Sequence, residues 1–145
     1  MEYKLSDFNY KIDVQVRFSD IDGFNHVNNS VFFQFFDVGR INYFRHSLGF
    51  MFNINDNESL VVVATKTDYN RPAHLWDNLS VYTKVYQLGV KSIKIIQWVV
   101  RNGEESPLVV CDSVMSGFAP SIEQSIVIPD EWRNKLNEFE KGMLL

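Results

Sequence analysis

Two acids, a histidine and three asparagines fall within one short stretch: Asp20, Asp22, Asn25, His26, Asn28 and Asn29. Two carboxylates at i and i+2 could take part in holding a divalent cation. Two alone leave most of the coordination sphere to asparagine or water, and the spacing is not that of an EF-hand calcium loop. Both acids could also be exposed turn formers, a common use of Asp. In a third reading, one acid is a nucleophile or general base beside the start of a helix. There, unspent backbone N–H groups and the helix dipole polarise a carbonyl. The chain order suits this third reading. Asp22 lies four residues before His26 and seven before Asn29, so a loop can return its carboxylate toward a helix start. Asp20 lies nearer the preceding strand and is better placed to hydrogen-bond the loop. His26 sits between Asp22 and the helix, where a lone His is more often packed and hydrogen-bonded than catalytic. Ser19 and Ser30 are near enough for a Ser-His-Asp arrangement, but the Gly-x-Ser-x-Gly context is missing. Elsewhere, Arg71 with Lys66 and His74 nearby could bind a phosphate; singly, each is a surface charge by default.

The elements that must position these residues are legible on either side. Tyr10, Ile12, Val14, Val16 and Phe18 alternate with Lys11, Asp13, Gln15 and Arg17, which predicts a half-buried strand over 10–18. Ser19 to Asn29 is loop, and Asn28, Asn29 and Ser30 are all suitable helix N-caps. From Ser30 to Leu48 the apolar positions surround most of a helix about 28 Å long. Gly39 in its middle suggests a close backbone approach. Arg45 and His46 suit its negative pole, and Gly49 is its C-cap. Phe50 to Glu58 reads as a surface loop. Strands follow over 60–69, 79–86, 92–101 and 108–118, with a break at Asn70-Arg71-Pro72 and a hairpin turn at Asn102-Gly103. A short helix begins near Pro129. The order β, long α, four β, short α predicts an α+β fold with an antiparallel sheet that curls over the long helix.

The chain of 145 residues is expected to form one domain, 1–145. Its 46% hydrophobic content is enough for a core without disulfide or metal staples. The net charge of −4 argues against a nucleic-acid partner. Cys111, the single cysteine, lies in an apolar run and reads as a small buried hydrophobe. No cofactor and no metal centre are expected. Met1 to Phe8 holds no secretory apolar core, and no run reaches about 18 apolar residues. A cytoplasmic protein without a membrane partner is therefore the default expectation.

Arg17-Phe18-Ser19-Asp20-Ile21-Asp22, followed by His26-Val27-Asn28-Asn29, resembles the Arg-x-x-Asp-x-Asp-x-x-Gly-His-Val-Asn-Asn signature of hot-dog fold thioesterases. The 4-hydroxybenzoyl-CoA thioesterase family and its bacterial acyl-CoA thioesterase relatives are most similar. The likeness extends over nearly the whole chain. It includes the long helix, the Tyr69-Asn70-Arg71-Pro72 break and the closing hairpin. It implies a hot-dog fold, with a curled antiparallel sheet around one central helix, assembled as a homodimer or homotetramer. It also implies hydrolysis of an acyl-CoA thioester, with sites at the subunit interface. By the resemblance Asp22 is the catalytic carboxylate, attacking the thioester or activating water. The carbonyl is held by N–H groups near Asn28 and Asn29, and His26 belongs to the same set. Asp20, Asn25, Asp37 and Arg71 are the candidates for substrate binding. Asn25 stands where the signature has Gly, and Asp37 where many relatives carry a helical Glu. An acyl-ACP thioesterase and a non-catalytic acyl- or CoA-binding module remain the competing readings.

Overall fold

The structure is a computed structural model and describes residues 2–49, 55–142 and 144. Among these residues the predicted order is followed, with one short strand, β6, added before the last helix: β1 (Tyr10–Gln15), α1 (Val31–Leu48), β2 (Ser59–Tyr69), β3 (Asn78–Leu88), β4 (Ser92–Arg101), β5 (Val109–Ala119), β6 (Gln124–Ser125) and α2 (Asp130–Phe139). All strand pairs are antiparallel, in the order β1-β3-β4-β5-β2, with β6 added to β5. Bulges interrupt the register at Val62/Ala64 and at Val85/Gln87. Such irregularities increase local twist and help a sheet curl. The predicted loop 50–58 falls partly outside the described residues; within 55–58, Asn55 Oδ1 accepts the N–H groups of Asn57 and Glu58.

The curled sheet holds α1 because its concave face is apolar. Phe32, Phe35 and Phe36 pack with Val81, Val99, Val109 and Cys111 near the helix start. Tyr43, Phe44 and Leu48 pack with Val85, Ile93, Ile95, Met115 and the α2 residues Trp132 and Leu136 near its end. At Gly39 helix and sheet approach too closely for a side chain. A Cβ there would stand 2.8 Å from both Gln97 Nε2 and Val81 Cγ1. Gln97, on β4, donates to the Phe36 carbonyl at 3.0 Å and accepts from Arg40 Nη1 at 3.0 Å. The approach therefore also satisfies a buried arginine. Gly49 ends the helix at φ 82°, with its N–H on the Arg45 carbonyl. This is the left-handed conformation that a C-cap glycine adopts without strain.

β1 is shorter than the alternation predicts, and its last apolar residue is corrected. Phe18 is 80% exposed instead of lying on the inner face with Val16. The chain leaves the sheet after Gln15 and turns through a 3₁₀ segment, Phe18–Asp20, that the Asp20 carboxylate closes. Side-chain alternation cannot see that closure. Apolar surface also stays open on the helix and on the outer strand: Phe33, Val38, Val62 and Val63 are each at least two-fifths exposed. No helix among the described residues is long and apolar enough to cross a membrane.

Candidate active site

The strand-to-helix connection is a tight loop fixed by its own acids. Asp20 is 2% exposed. Its Oδ2 accepts the Arg17 backbone N–H at 2.7 Å, and its Oδ1 pairs with Arg17 Nη2 at 3.0 Å. Burial alone would push this carboxyl up, but the bonds and charge of Arg17 outweigh it and hold the group below its ordinary value. The Asp20 carbonyl takes the N–H of Asn28 at 2.8 Å. Asp20 thus sets the distance between strand end and helix start, and its carboxylate does not line the cleft described below.

Asp22 closes the second half of the loop. Its Oδ1 accepts the N–H groups of Phe24 at 2.8 Å and His26 at 3.2 Å, and its own N–H donates to the His26 carbonyl at 2.8 Å. Asn25 takes φ 61° at the tip, the positive φ expected where the signature has Gly. Asn25 is exposed and lies outside the cleft. These bonds fix Asp22 through one oxygen. The other, Oδ2, accepts no hydrogen bond among the described residues, and the residue is exposed.

At the helix start, Asn28 does the capping. Its carbonyl accepts the Val31 N–H, and its Oδ1 accepts Ser30 N and Ser30 Oγ, both at 3.0 Å. Ser30 itself is helical and makes no side-chain cap bond. The donors of this run can be followed one by one. Val27 N–H goes to Ala73, Asn28 to Asp20, Ser30 to the Asn28 side chain and Val31 to the Asn28 carbonyl. The Asn29 N–H alone in this run has no acceptor among the described residues. It lies at the positive end of α1, where a developing negative charge is favoured.

Asp22, His26, Asn28 and Asn29 line one cleft of about 420 Å³. Its other walls are Val27 and Phe32, and the Tyr69–Pro72 segment after β2. Sequence reading did not single out Tyr69 as a site residue. Its ring meets Phe32 edge-on at 5.9 Å, and its hydroxyl donates to the Asn29 carbonyl at 3.3 Å. The break at Asn70-Arg71-Pro72 was the signal available for it. The His26 and His74 rings meet edge-on at 5.1 Å, and their backbones pair in an isolated antiparallel bridge. Arg71 lines the cleft but is paired with Glu104 at 2.8 Å.

Asp37 lies elsewhere. It pairs with the buried Arg40 and lines a second cavity of about 240 Å³, with Ile41, Leu60, Val62 and Met115. It is two turns along α1 from Ser30, about 10 Å at the helical rise. Among the described residues no three His, Cys, Asp or Glu side chains gather as metal ligands. Asp20 and Asp22 do not act as a pair, because Arg17 takes the first.

A curled antiparallel sheet around one helix, with a polar loop at the helix start, defines the hot-dog class of thioester hydrolases. The chain belongs to the thioesterase-like superfamily, whose family model matches residues 16–136. It is 28% identical over 130 residues to the long-chain acyl-CoA thioesterase FadM of Escherichia coli, covering 88% of this chain and 97% of FadM. It is 30% identical over 135 residues to the uncharacterized protein YsmA of Bacillus subtilis, covering 93% and 89%. Among solved structures it is similar to a Thermus thermophilus thioesterase complexed with coenzyme A and zinc. That likeness has TM-score 0.78 and 27% identity and covers 93% of this chain and 97% of the other.

Proposed function

We propose that the chain hydrolyses an acyl-CoA thioester to the free acid and CoA, with Asp22 as its catalytic carboxylate. The observation that carries this reading is the pairing of an unbonded carboxylate oxygen, Asp22 Oδ2, with an unspent N–H, that of Asn29, on one cleft. The thioester carbonyl accepts the Asn29 N–H, which meets the negative charge that develops on that oxygen during attack. Two routes use the same geometry. As a base, Asp22 takes a proton from water while the water oxygen bonds to the thioester carbon. The tetrahedral adduct then breaks its C–S bond, and the departing thiolate takes up a proton. As a nucleophile, Asp22 bonds to the carbon itself and expels the thiolate; water then cleaves the mixed anhydride. His26 holds Asp22 in register through its backbone in either route.

The acyl chain runs from the cleft along the seam between α1 and β2. Ile41, Leu60, Val62 and Met115 offer it apolar walls, and the Asp37–Arg40 pair borders that cavity. FadM, named as a long-chain acyl-CoA thioesterase, supports an aliphatic acyl group. The coenzyme A in the Thermus relative supports CoA as carrier. The test is a panel of acyl-CoA esters of increasing length, with one acyl group also presented on an acyl carrier protein. Turnover is expected with the CoA esters. Binding without release of free thiol from any of them would replace the enzyme by an acyl-binding module.

A second copy of the chain completes the assembly in this reading. Among the described residues β2 is an edge strand with one side unpaired, and Val62 and Val63 on it and Phe33 and Val38 on α1 stay exposed. Exposed apolar edge strands are a liability unless something pairs with them. Two β2 edges pairing would cover these residues and bring a second chain close to the cleft. Light scattering at micromolar concentration is expected to give at least twice the chain mass. The mass of one chain would count against both this assembly and a site shared between subunits.

A further inference from the structure

The wall of the cleft opposite α1 is held by an ionic chain that the proposed chemistry does not use. Glu104, just past the Asn102-Gly103 turn, takes two guanidinium groups on one carboxylate. Arg71 Nη1 lies 2.8 Å from Oε1, and Arg101 Nη1 lies 2.9 Å from Oε2. Both arginines continue into the wall segment 70–77 and its surroundings. Arg71 Nη2 donates to the Ser106 carbonyl at 2.9 Å. Arg101 Nη2 donates to the Pro72 carbonyl at 2.9 Å and to Asp77 Oδ2 at 3.1 Å. Asp77 Oδ2 in turn accepts the His74 N–H at 2.7 Å.

The wall passes this order to the active loop through the backbone. The Ala73 carbonyl holds the Val27 N–H at 2.8 Å, and His74 bridges His26. Ala73 is fully buried, so the wall is anchored beneath the cleft and clamped above it. A single exposed ion pair contributes little. Here one carboxylate joins the exposed Arg71 to the more shielded Arg101, whose Nε is enclosed by protein and whose Nη2 also reaches Asp77, so the pairs form a network and not an isolated surface pair. Losing the Glu104 charge would leave Arg71 with the Ser106 carbonyl and Arg101 with Pro72 and Asp77, and would uncouple the two ends of the wall.

We propose that Glu104 is a positioning residue. Through Arg71 and Arg101 it fixes the segment 70–77, and through Ala73 and His74 it fixes the loop that carries Asp22 and the Asn29 N–H. Arg71 then serves as a clamp to the hairpin and not as a free anion site in the cleft. This rests on the thioesterase reading of the cleft only where turnover is the readout, so the decisive measurement does not use turnover.

Glu104→Gln keeps the size of the side chain and removes its charge. Amide hydrogen exchange at Val27 and Asn28 is expected to speed up by about tenfold, while amides of the central β4 strand keep their rates. In the same variant kcat is expected to fall by about tenfold with KM within about twofold, because misplaced groups lose transition-state contacts before they lose ground-state binding. Arg71→Gln should reproduce the effect, and the double variant should be no worse than either single one. If Glu104→Gln lowers overall stability enough to change β4 exchange, Arg71→Gln carries the same comparison. Unchanged exchange at Val27 and Asn28 in both variants overturns the proposal. So does a KM that falls in Glu104→Gln and rises in Arg71→Gln, which would make Arg71 an anion-binding residue. A wild-type protein without turnover would sink the thioesterase reading and leave the exchange result to decide the clamp.

Discussion

Asp22→Asn is expected to lower kcat by about 10² or more, with substrate affinity and Tm near those of the parent protein. The geometry makes this a clean substitution. An Asn side chain can keep its carbonyl oxygen where Oδ1 stands, so the N–H groups of Phe24 and His26 keep their acceptor. Its amide nitrogen then occupies the position of Oδ2, the oxygen that no described residue uses. A donor replaces an acceptor only at the atom proposed to attack or to take a proton. Asp20→Asn makes the opposite trade. Asp20 is buried and takes both the backbone N–H and the guanidinium of Arg17, so the amide sets an NH₂ against a cation inside the protein. Lower Tm with a modest loss of rate is expected. The effect also has a pH signature. Arg17 overcomes the upward push of burial and leaves the folded-state value below the unfolded one, near 3.9. The stabilisation is therefore complete above that value and is lost as pH falls through the folded one. The acid limb of a Tm profile should flatten in Asp20→Asn. Near-full turnover in Asp22→Asn with none in Asp20→Asn would reverse the two roles. If neither changes the rate, the chemistry lies elsewhere in the molecule.

The features that sequence made visible are the local ones. Period-two alternation finds β1, and an apolar run with a glycine at each of two meaningful points finds α1 and its C-cap. Gly39 and Gly49 have the surroundings their positions suggest, a close approach and a left-handed turn. The signature brings Asp22, His26, Asn28 and Asn29 onto one cleft, as a loop of that length allows. What stayed hidden depends on partners far along the chain. Three adjacent residues were equally good caps, and only the hydrogen bonds single out Asn28. Arg71 reads as a free cation until the β4–β5 hairpin folds back and brings Glu104 to it. Asp37 lies on α1, just after the loop that carries the site residues, but it pairs with Arg40 and lines the second cavity instead. Tyr69 reaches Asn29 only because β2, sequentially remote, ends beside the start of α1. Glu140 is the extreme case. It follows an amphipathic helix as one more charge and is completely buried.

Glu140→Ala is expected to be the most damaging change of a charged residue in this protein. One buried carboxylate ties four parts of the fold together. Its Oε2 accepts the Tyr43 hydroxyl of α1 at 2.5 Å, and its Oε1 accepts Lys84 Nζ of β3 at 2.9 Å. Asn9, ahead of β1, donates to the same Oε1 at 3.2 Å and to the Phe139 carbonyl of α2 at 3.1 Å. Tyr43 is fully buried. Burial first, and then the charge of Glu140, push its phenol well above its ordinary value, so it remains the donor in this bond. Truncating Glu140 leaves the Lys84 ammonium enclosed without its counter-charge, a loss of about 3–5 kcal/mol. For a chain of this size that corresponds to a fall in Tm of roughly 10 °C. Tyr43→Phe removes one bond to a charged group and should cost less, about 1.5–3 kcal/mol. Replacing Glu140, Lys84 and Tyr43 together by Leu, Met and Phe should recover much of the loss, because the penalty comes from the orphaned charge and hydroxyl more than from the missing attraction. Tyr43 is fourteen residues along the chain from Asn29, about 20 Å at the helical rise. The kinetic constants of the folded variant should therefore stay near those of the parent. A Tm within a degree or two of the parent in Glu140→Ala would mean that Lys84 finds water or another acceptor at little cost, and that the packing of Trp132 and Leu136 and the bonds of Arg133 and Lys135 suffice to hold α2.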